Sequence, residues 1–319
     1  MVARSAKPVS DRGVHIALHD LIALRHTAQL LNLNFQQKMR NQLIGGHLSN
    51  LRGRGVDFDE VRAYQAGDDI RHMDWRVTAR TGTPHTKLFH EERDRPVFLV
   101  VDYSLNMFFG TRIAFKSVVA AQAAALLAWA AVNNGDRLGG VIFSGKKHIE
   151  FRPQARLRGV LPFLKVLSDF DRPEPPHEQA LAQVLLRLRH VVKPGSLLFI
   201  LSDFAKLDEE AARHLSRLAQ HTEVIACLIR DPIEIEPPAK GKYAITNGQQ
   251  AALLDCTATA MRQSYHDYFY RQFEHLNSVL TKRRIALIEL RTDRPVHKDL
   301  QYALAGHTAR RPREKQHAS

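Results

Sequence analysis

Cysteine is scarce: Cys227 and Cys256 are the two in 319 residues, and their spacing matches no metal-binding pattern. Cys227 lies in the run VIACLI and reads as a small buried hydrophobe. Long apolar runs are missing too. The longest, Val118 to Val132, is Ala-rich, contains Gln122 and falls short of the roughly 20 residues a bilayer crossing requires. The opening MVARSAKPVSDRG places no apolar segment after its basic residues, so no secretory leader is expected. These absences fit a soluble protein of a reducing cytoplasm. Acidic residues are outnumbered, 33 against 46 Lys plus Arg, for a formal charge of +13. Such a surface suits an acidic partner. The basic residues are scattered, however; only ARRPREKQ (Ala309 to Gln316) concentrates them, and no basic motif is interleaved with aromatics. That pattern argues against nucleic acid.

What is present is an ordinary globular balance, with 44% hydrophobic and 25% charged residues. His15 to Leu33 reads as a helix, from apolar residues at Ile16, Leu18, Leu21, Ile22, Leu24, Leu30 and Leu31. The stretch from Gly45 to Pro96 is charged and punctuated by glycines into turns and short strands. The rhythm then changes. VFLVVD (Val97 to Asp102) is a continuous β-branched run, as expected of a strand buried on both faces. A helix follows from about Arg112 to Asn133, and LGGVIFSG and HIEFRP read as paired strands around Gly145-Lys146. Helices are expected at Arg156 to Leu167, Glu178 to Val191, Leu207 to Gln220 and Ala258 to Lys282. SLLFILSD, TEVIACLIRD and IALIELRTD supply further strands, and Pro232 to Cys256 reads as hairpins on the sheet edge. Alternating strands and helices predict an α/β domain, a mostly parallel sheet covered on both faces.

In such sheets ligands bind at the carboxyl ends of the strands, near a switch in strand order. Asp102 and Asp203 both fall there. Asp102, Ser104 and Asn106 alternate in DYSLN, an oxygen pattern suited to a hard divalent cation such as Mg²⁺ or Mn²⁺. Asp203 is placed to add a carboxylate from a neighbouring strand. The competing structural reading makes Ser104, Asn106 and Asp203 helix caps.

VFLVVDYSLNMFFG followed by SLLFILSDF resembles the von Willebrand factor A fold, with its Asp-x-Ser-x-Ser, Thr and Asp metal-ion-dependent adhesion site. GVDFDEVRAYQAGDDIRHMDWRVTARTG, with KLFHEERDRPVFLVVDYS and the later ILSDF and KYAITNG, resembles more specifically the bacterial family called domain of unknown function 58. The resemblance runs from about Gly45 to Arg291. It implies a von Willebrand factor A-like, doubly wound sheet and association with MoxR-type AAA+ ATPases in maturing or remodelling other proteins. Carried over residue by residue, Asp102 and Ser104 match the first two metal positions and Asn106 replaces the second Ser. His177 stands roughly where the Thr is expected, and a neutral imidazole prefers softer metals than Mg²⁺. The expected site is thus partly degenerate.

GDDIRHMDWRVTAR gathers Gly67, Asp68, Asp69, Arg71, Asp74, Trp75, Arg76 and Arg80. It reads either as a recognition loop or acidic cluster, or as a structural clamp. In the clamp, Asp bonds turn amides, Arg pairs with carboxylates and Trp covers a core edge. Enzyme motifs fail in turn. GTRIAFKS mimics a phosphate loop, but Phe115 stands where Gly must precede Lys116. Ser104 sits in no Gly-x-Ser-x-Gly elbow, and FHEERD has no second His after His90. HDYFYRQFEH (His266 to His275) is expected to pack on the sheet.

The sequence therefore predicts an N-terminal helical segment (1–44), a Gly-rich extension (45–96), a von Willebrand factor A-like domain (97–305) and a disordered basic tail (306–319). The expected function is non-enzymatic: a module binding a MoxR-type ATPase or its client through Asp102, Ser104, Asn106 and Asp203. Two alternatives remain open. One is a metal-dependent phosphoester hydrolase using Asp68, Asp69, Asp74, Asp102 or Asp203; the other is a nucleic-acid-binding protein.

Overall fold

The computed structural model describes residues 13–33, 56–65, 73–91, 95–170, 177, 180–246 and 251–305. The chain forms two units, one of residues 40–94 and one of residues 1–39 with 95–319. The larger unit opens with α1 (Leu18–Ala28), shorter at both ends than the periodicity predicts.

The smaller unit pairs β1 (Val56–Ala63) antiparallel with β2 (His85–Glu91), with a bulge between Phe58 and Glu60. Between them lies α2 (Trp75–Thr81). Asp74 caps this helix, its carboxylate accepting from Arg76 N and Val77 N at 3.0 and 3.1 Å. Gly82 closes it in the left-handed region at φ 74°, which only glycine adopts without strain.

The larger unit continues with β3 (Pro96–Asp102), α3 (Lys116–Asn133), β4 (Arg137–Ser144), β5 (Lys147–Ala155), α4 (Leu157–Asp169) and α5 (Ala180–Val191). It ends with β6 (Leu197–Ser202), α6 (Glu209–Ala219), β7 (Glu223–Arg230), β8 (Lys242–Thr246), β9 (Ala251–Asp255), α7 (Thr259–Thr281), β10 (Ala286–Arg291) and α8 (Val296–Leu304). Six strands form one sheet in the order β10-β7-β6-β3-β4-β5. All neighbours are parallel except β4 and β5, which form an antiparallel hairpin. This is the α/β class the sequence predicts. The hairpin of β8 and β9 departs from expectation: it is a separate two-stranded sheet. The edges of the main sheet belong to β5 and β10, so this segment extends neither.

Both faces are covered, which is why the strands read as unbroken apolar runs. On one face, Leu99 and Val101 of β3 and Phe199 and Leu201 of β6 pack with α1, α3, α4 and α8. On the other, Phe98, Val100, Leu198 and Ile200 pack with α5, α6 and the C-terminal end of α7. By length and composition α3 could cross a membrane, with a mean hydropathy of 1.2 over 18 residues. Yet 83% of that window is buried inside the protein, because α1 and α4 enclose the helix against the sheet.

The first helix joins this core directly. Leu21 is fully buried, Trp129 Nε1 donates to the Leu21 carbonyl at 3.0 Å, and the Arg25 guanidinium lies over the indole. Trp129→Phe removes that hydrogen bond and the five-membered half of a buried indole, while the Leu21 carbonyl keeps its helical donor, so urea denaturation should show a loss of about 1–3 kcal/mol. An unchanged midpoint would mean that α1 does not hold its place through this contact.

Candidate functional site

The strand order reverses between β3 and β6. From β3 the chain moves outward to β4 and β5, then returns to the other side of β3 for β6, β7 and β10. The carboxyl ends of β3 and β6 therefore flank the switch point, where side chains from both halves of the sheet meet. Asp102 ends β3, Ser202 ends β6, and Asp203 follows it.

Asp102 is buried, and both of its oxygens are engaged. Oδ1 accepts from Ser104 N at 2.8 Å, and Oδ2 accepts from Ser202 Oγ at 2.6 Å. Ser202 Oγ in turn accepts from Phe204 N at 3.0 Å. Burial raises the Asp102 carboxyl to about 6, and the nearby charge of Asp203 adds to the rise against the hydrogen bonds from Ser202 and Ser104. Phe204 adopts φ 53°, a left-handed conformation that bulky residues rarely take and that clusters at functional positions.

Asp203 faces a cation already in the chain. Lys116, the first residue of α3 and only 2% exposed, places Nζ 2.9 Å from Asp203 Oδ2 and 2.8 Å from Glu234 Oε1. Burial alone would lower its pKa, but the two carboxylates outweigh that and raise it to about 12. At an effective dielectric constant of about 20, unit charges 4 Å apart attract by about 4 kcal/mol each. Two such partners offset the desolvation of one ammonium.

The network extends along the edge. Glu234 Oε2 accepts from Asp231 N at 2.9 Å. Asp231, fully buried just beyond β7, accepts from Thr111 N and Oγ1 at 2.9 and 2.5 Å, from Thr292 Oγ1 at 2.6 Å and from Ile233 N at 3.1 Å. One carboxylate thereby ties the loop after β3 to the ends of β7 and β10.

Of the residues the sequence singles out, Asp102, Ser104 and Asp203 come together at this edge. Asn106 lies in a 3₁₀ turn, Leu105–Met107, and is exposed. The helix-cap alternative fails for these residues. Ser104 makes no side-chain cap bond, and α6 is capped by Asp208, whereas Asp203 Oδ1 accepts from Ala205 N within its own loop. His177 lies just before α5, its carbonyl accepting from Ala180 N, and its buried Nδ1 has no hydrogen-bond partner among the described residues. Gly67, Asp68, Asp69 and Arg71 lie outside the described residues. Asp74 is a helix cap, Trp75 is 67% exposed rather than laid over a core edge, and Arg76 and Arg80 are exposed on α2. The aromatic stretch of α7 also departs from expectation: Leu276 and Leu280 are buried, while Tyr268 and Tyr270 are 57% and 53% exposed.

No sequence pattern groups Lys116, Glu234, Asp231, Thr111 and Thr292. One signal was available: a lysine opening KSVVAAQAAALLAWAAV, a helix otherwise apolar enough to be buried all round.

The family model described as protein of unknown function DUF58 matches residues 60–275. The chain belongs to the DUF58 family. Uncharacterized protein Rv1480 of Mycobacterium tuberculosis is 30% identical over 289 residues, covering 87% of this chain and 90% of that protein. Uncharacterized protein Mb1516 of Mycobacterium bovis matches to the same extent, 30% over 289 residues. Among solved structures, the conserved hypothetical protein BatB from Bacteroides thetaiotaomicron superposes with a TM-score of 0.45 at 12% identity, covering 66% of this chain and 98% of that one. A von Willebrand factor type A protein from Catenulispora acidiphila gives 0.38 at 11% identity, covering 69% of this chain and 43% of that one.

The residues of this DUF58 chain fit the divalent cation expected from the sequence poorly. Of the expected ligands, Asp102 has both oxygens engaged by Ser104 N and Ser202 Oγ, and Asn106 is exposed in its turn. Asp203 is already bonded to an ammonium, which would repel an incoming divalent ion.

The raised Asp102 carboxyl has a pH signature. Its folded value lies above its unfolded one, so its contribution to stability is fully present below about pH 4 and is lost as pH rises through about 6. Asp102→Asn cannot titrate. From about pH 4.5 to about pH 7.5, urea melts should move the stability difference toward the variant by on the order of 2–3 kcal/mol. Parallel pH profiles for the two proteins would contradict the assignment.

Proposed function

We propose that this chain is a non-enzymatic protein-interaction module that engages its partner at the carboxyl edge of the sheet. The observation that carries this reading is a groove of about 570 Å³ between the loop after β6 and helix α7. Phe204, Ala205 and Leu207 form one wall; Tyr268, Arg271, His275 and Leu276 stand on the other. The groove begins one residue beyond Asp203. Its lining joins apolar surface to one guanidinium and contains no carboxylate. A partner segment carrying an aromatic or aliphatic anchor and an acidic group complements that lining, and the +13 charge of the chain would steer it. The exposed tyrosines of α7 are of the type enriched where proteins meet.

The partner class comes from the family resemblance: a MoxR-type AAA+ ATPase or its client. Purified MoxR-type ATPase, titrated over the immobilised full-length chain, should bind at least about tenfold more weakly to Tyr268→Ala and to Arg271→Glu, a difference of 1.4 kcal/mol or more. Both residues are exposed, so neither change should disturb the fold. Truncation after Thr308 removes most of the basic tail, whose residues 306–319 lie outside those described, and should leave binding nearly intact. Wild-type affinity in both groove variants, with loss on truncation alone, would move the interaction to the tail.

A further inference from the structure

Asp203, at the switch in strand order, and Glu234, beyond β7, are two largely buried carboxylates that need a positive charge between them. Within this chain that charge is covalently attached. Lys116 leaves the first position of α3, whose residues up to Ala131 are buried apart from Gln122, so its backbone is fixed by the core. Lys116 N donates to the Phe109 carbonyl at 2.8 Å, holding the helix start against the loop from β3. The side chain is 2% exposed and its ammonium lies 6.0 Å from the centre of the Phe109 ring. Two of its three protons are accounted for by Asp203 Oδ2 and Glu234 Oε1 at 2.9 and 2.8 Å. Glu234 is itself fixed by the capping box with Asp231, and Asp203 Oδ1 accepts from Ala205 N at 3.0 Å, so both acceptors are held independently of the lysine.

We propose that Lys116 is the resident cation of this strand-end centre, and that the centre is assembled by its ammonium without a divalent metal. Three features support it. The ammonium sits on the carboxylate that a bridging metal ion would require. Its stem is enclosed, so it cannot swing away to admit an ion without unpacking the start of α3. Glu234, absent from the expected metal set, supplies the second acceptor that an ammonium needs and turns the pair into a triad. An acidic group on a partner then meets Arg271 in the adjoining groove rather than an open metal position. This inference rests on the interaction-module reading for its purpose, but its test needs no partner.

The test uses the full chain alone. Thermal melts of the wild type in EDTA and in millimolar MgCl₂ or MnCl₂ should coincide. Lys116→Met, which leaves Asp203 and Glu234 facing each other without a cation, should melt several degrees lower. A metal-dependent rise in the wild type that Asp102→Asn abolishes would overturn the proposal, as would a Lys116→Met protein melting like the wild type. A rise that survives in Asp102→Asn places the ion elsewhere and leaves the centre metal-free, as proposed. Should Lys116→Met yield no folded protein, the wild-type and Asp102→Asn titrations decide alone. Loss of partner binding in the groove variants leaves these melts unchanged, so the two readings fail separately.

Discussion

Taking an ammonium out of water costs several kcal/mol, and the carboxyl edge of this sheet is arranged around offsetting that cost for Lys116. Asp203 approaches from the end of β6 and Glu234 from the turn after β7, at distances of 2.9 and 2.8 Å. Neither would be tolerable there alone, and removing one member of such a set typically costs about 3–5 kcal/mol because the rest are left uncompensated. The triad therefore fixes where the start of α3 can sit relative to β6 and β7. That helix in turn is enclosed by α1 and α4 and lies against the sheet. A charge interaction at one edge and the packing of the whole apolar face are two ends of the same element.

Asp231 performs the corresponding task one strand further out. Its four acceptor contacts draw together Thr111, Ile233 and Thr292, and its backbone amide orients Glu234. A low-dielectric environment strengthens such a network when every member is satisfied. Asp102 completes the row through Ser202, joining β3 to β6 across the switch point. The result is a rigid polar rim with the groove between Phe204 and α7 beside it. A preorganised surface of this kind loses little entropy when a partner docks.

Much of this was legible in the residues. The unbroken β-branched runs around Val97 and Leu197 announced strands buried on both faces, and their acidic ends marked the switch point. The alternation of Asp102, Ser104 and Asn106 falls on the loop leaving β3, where Asp102 meets Ser202 while Asn106 stays exposed. Periodicity does not report tertiary partners. Lys116 carries no motif of its own; its significance arises from Asp203 and Glu234, which lie 87 and 118 residues away. A carboxylate at a strand end, such as Asp203, looks the same in the sequence whether a metal ion or an ammonium neutralises it. Aromatic spacing in α7 resembles a core face, because an exposed aromatic face and a buried packing face have the same period. The hairpin of β8 and β9 carried the alternation of an edge strand, yet nothing in a strand's own pattern names its neighbour.

The claim that an ammonium occupies the centre is most directly tested by a crystal structure grown in millimolar MnCl₂ and measured at the manganese absorption edge. The account predicts Lys116 Nζ within hydrogen-bond distance of Asp203 and Glu234, with no anomalous peak at the ends of β3 and β6. An anomalous peak bound by Asp102 and Ser104, with Lys116 turned away from Asp203, would contradict it.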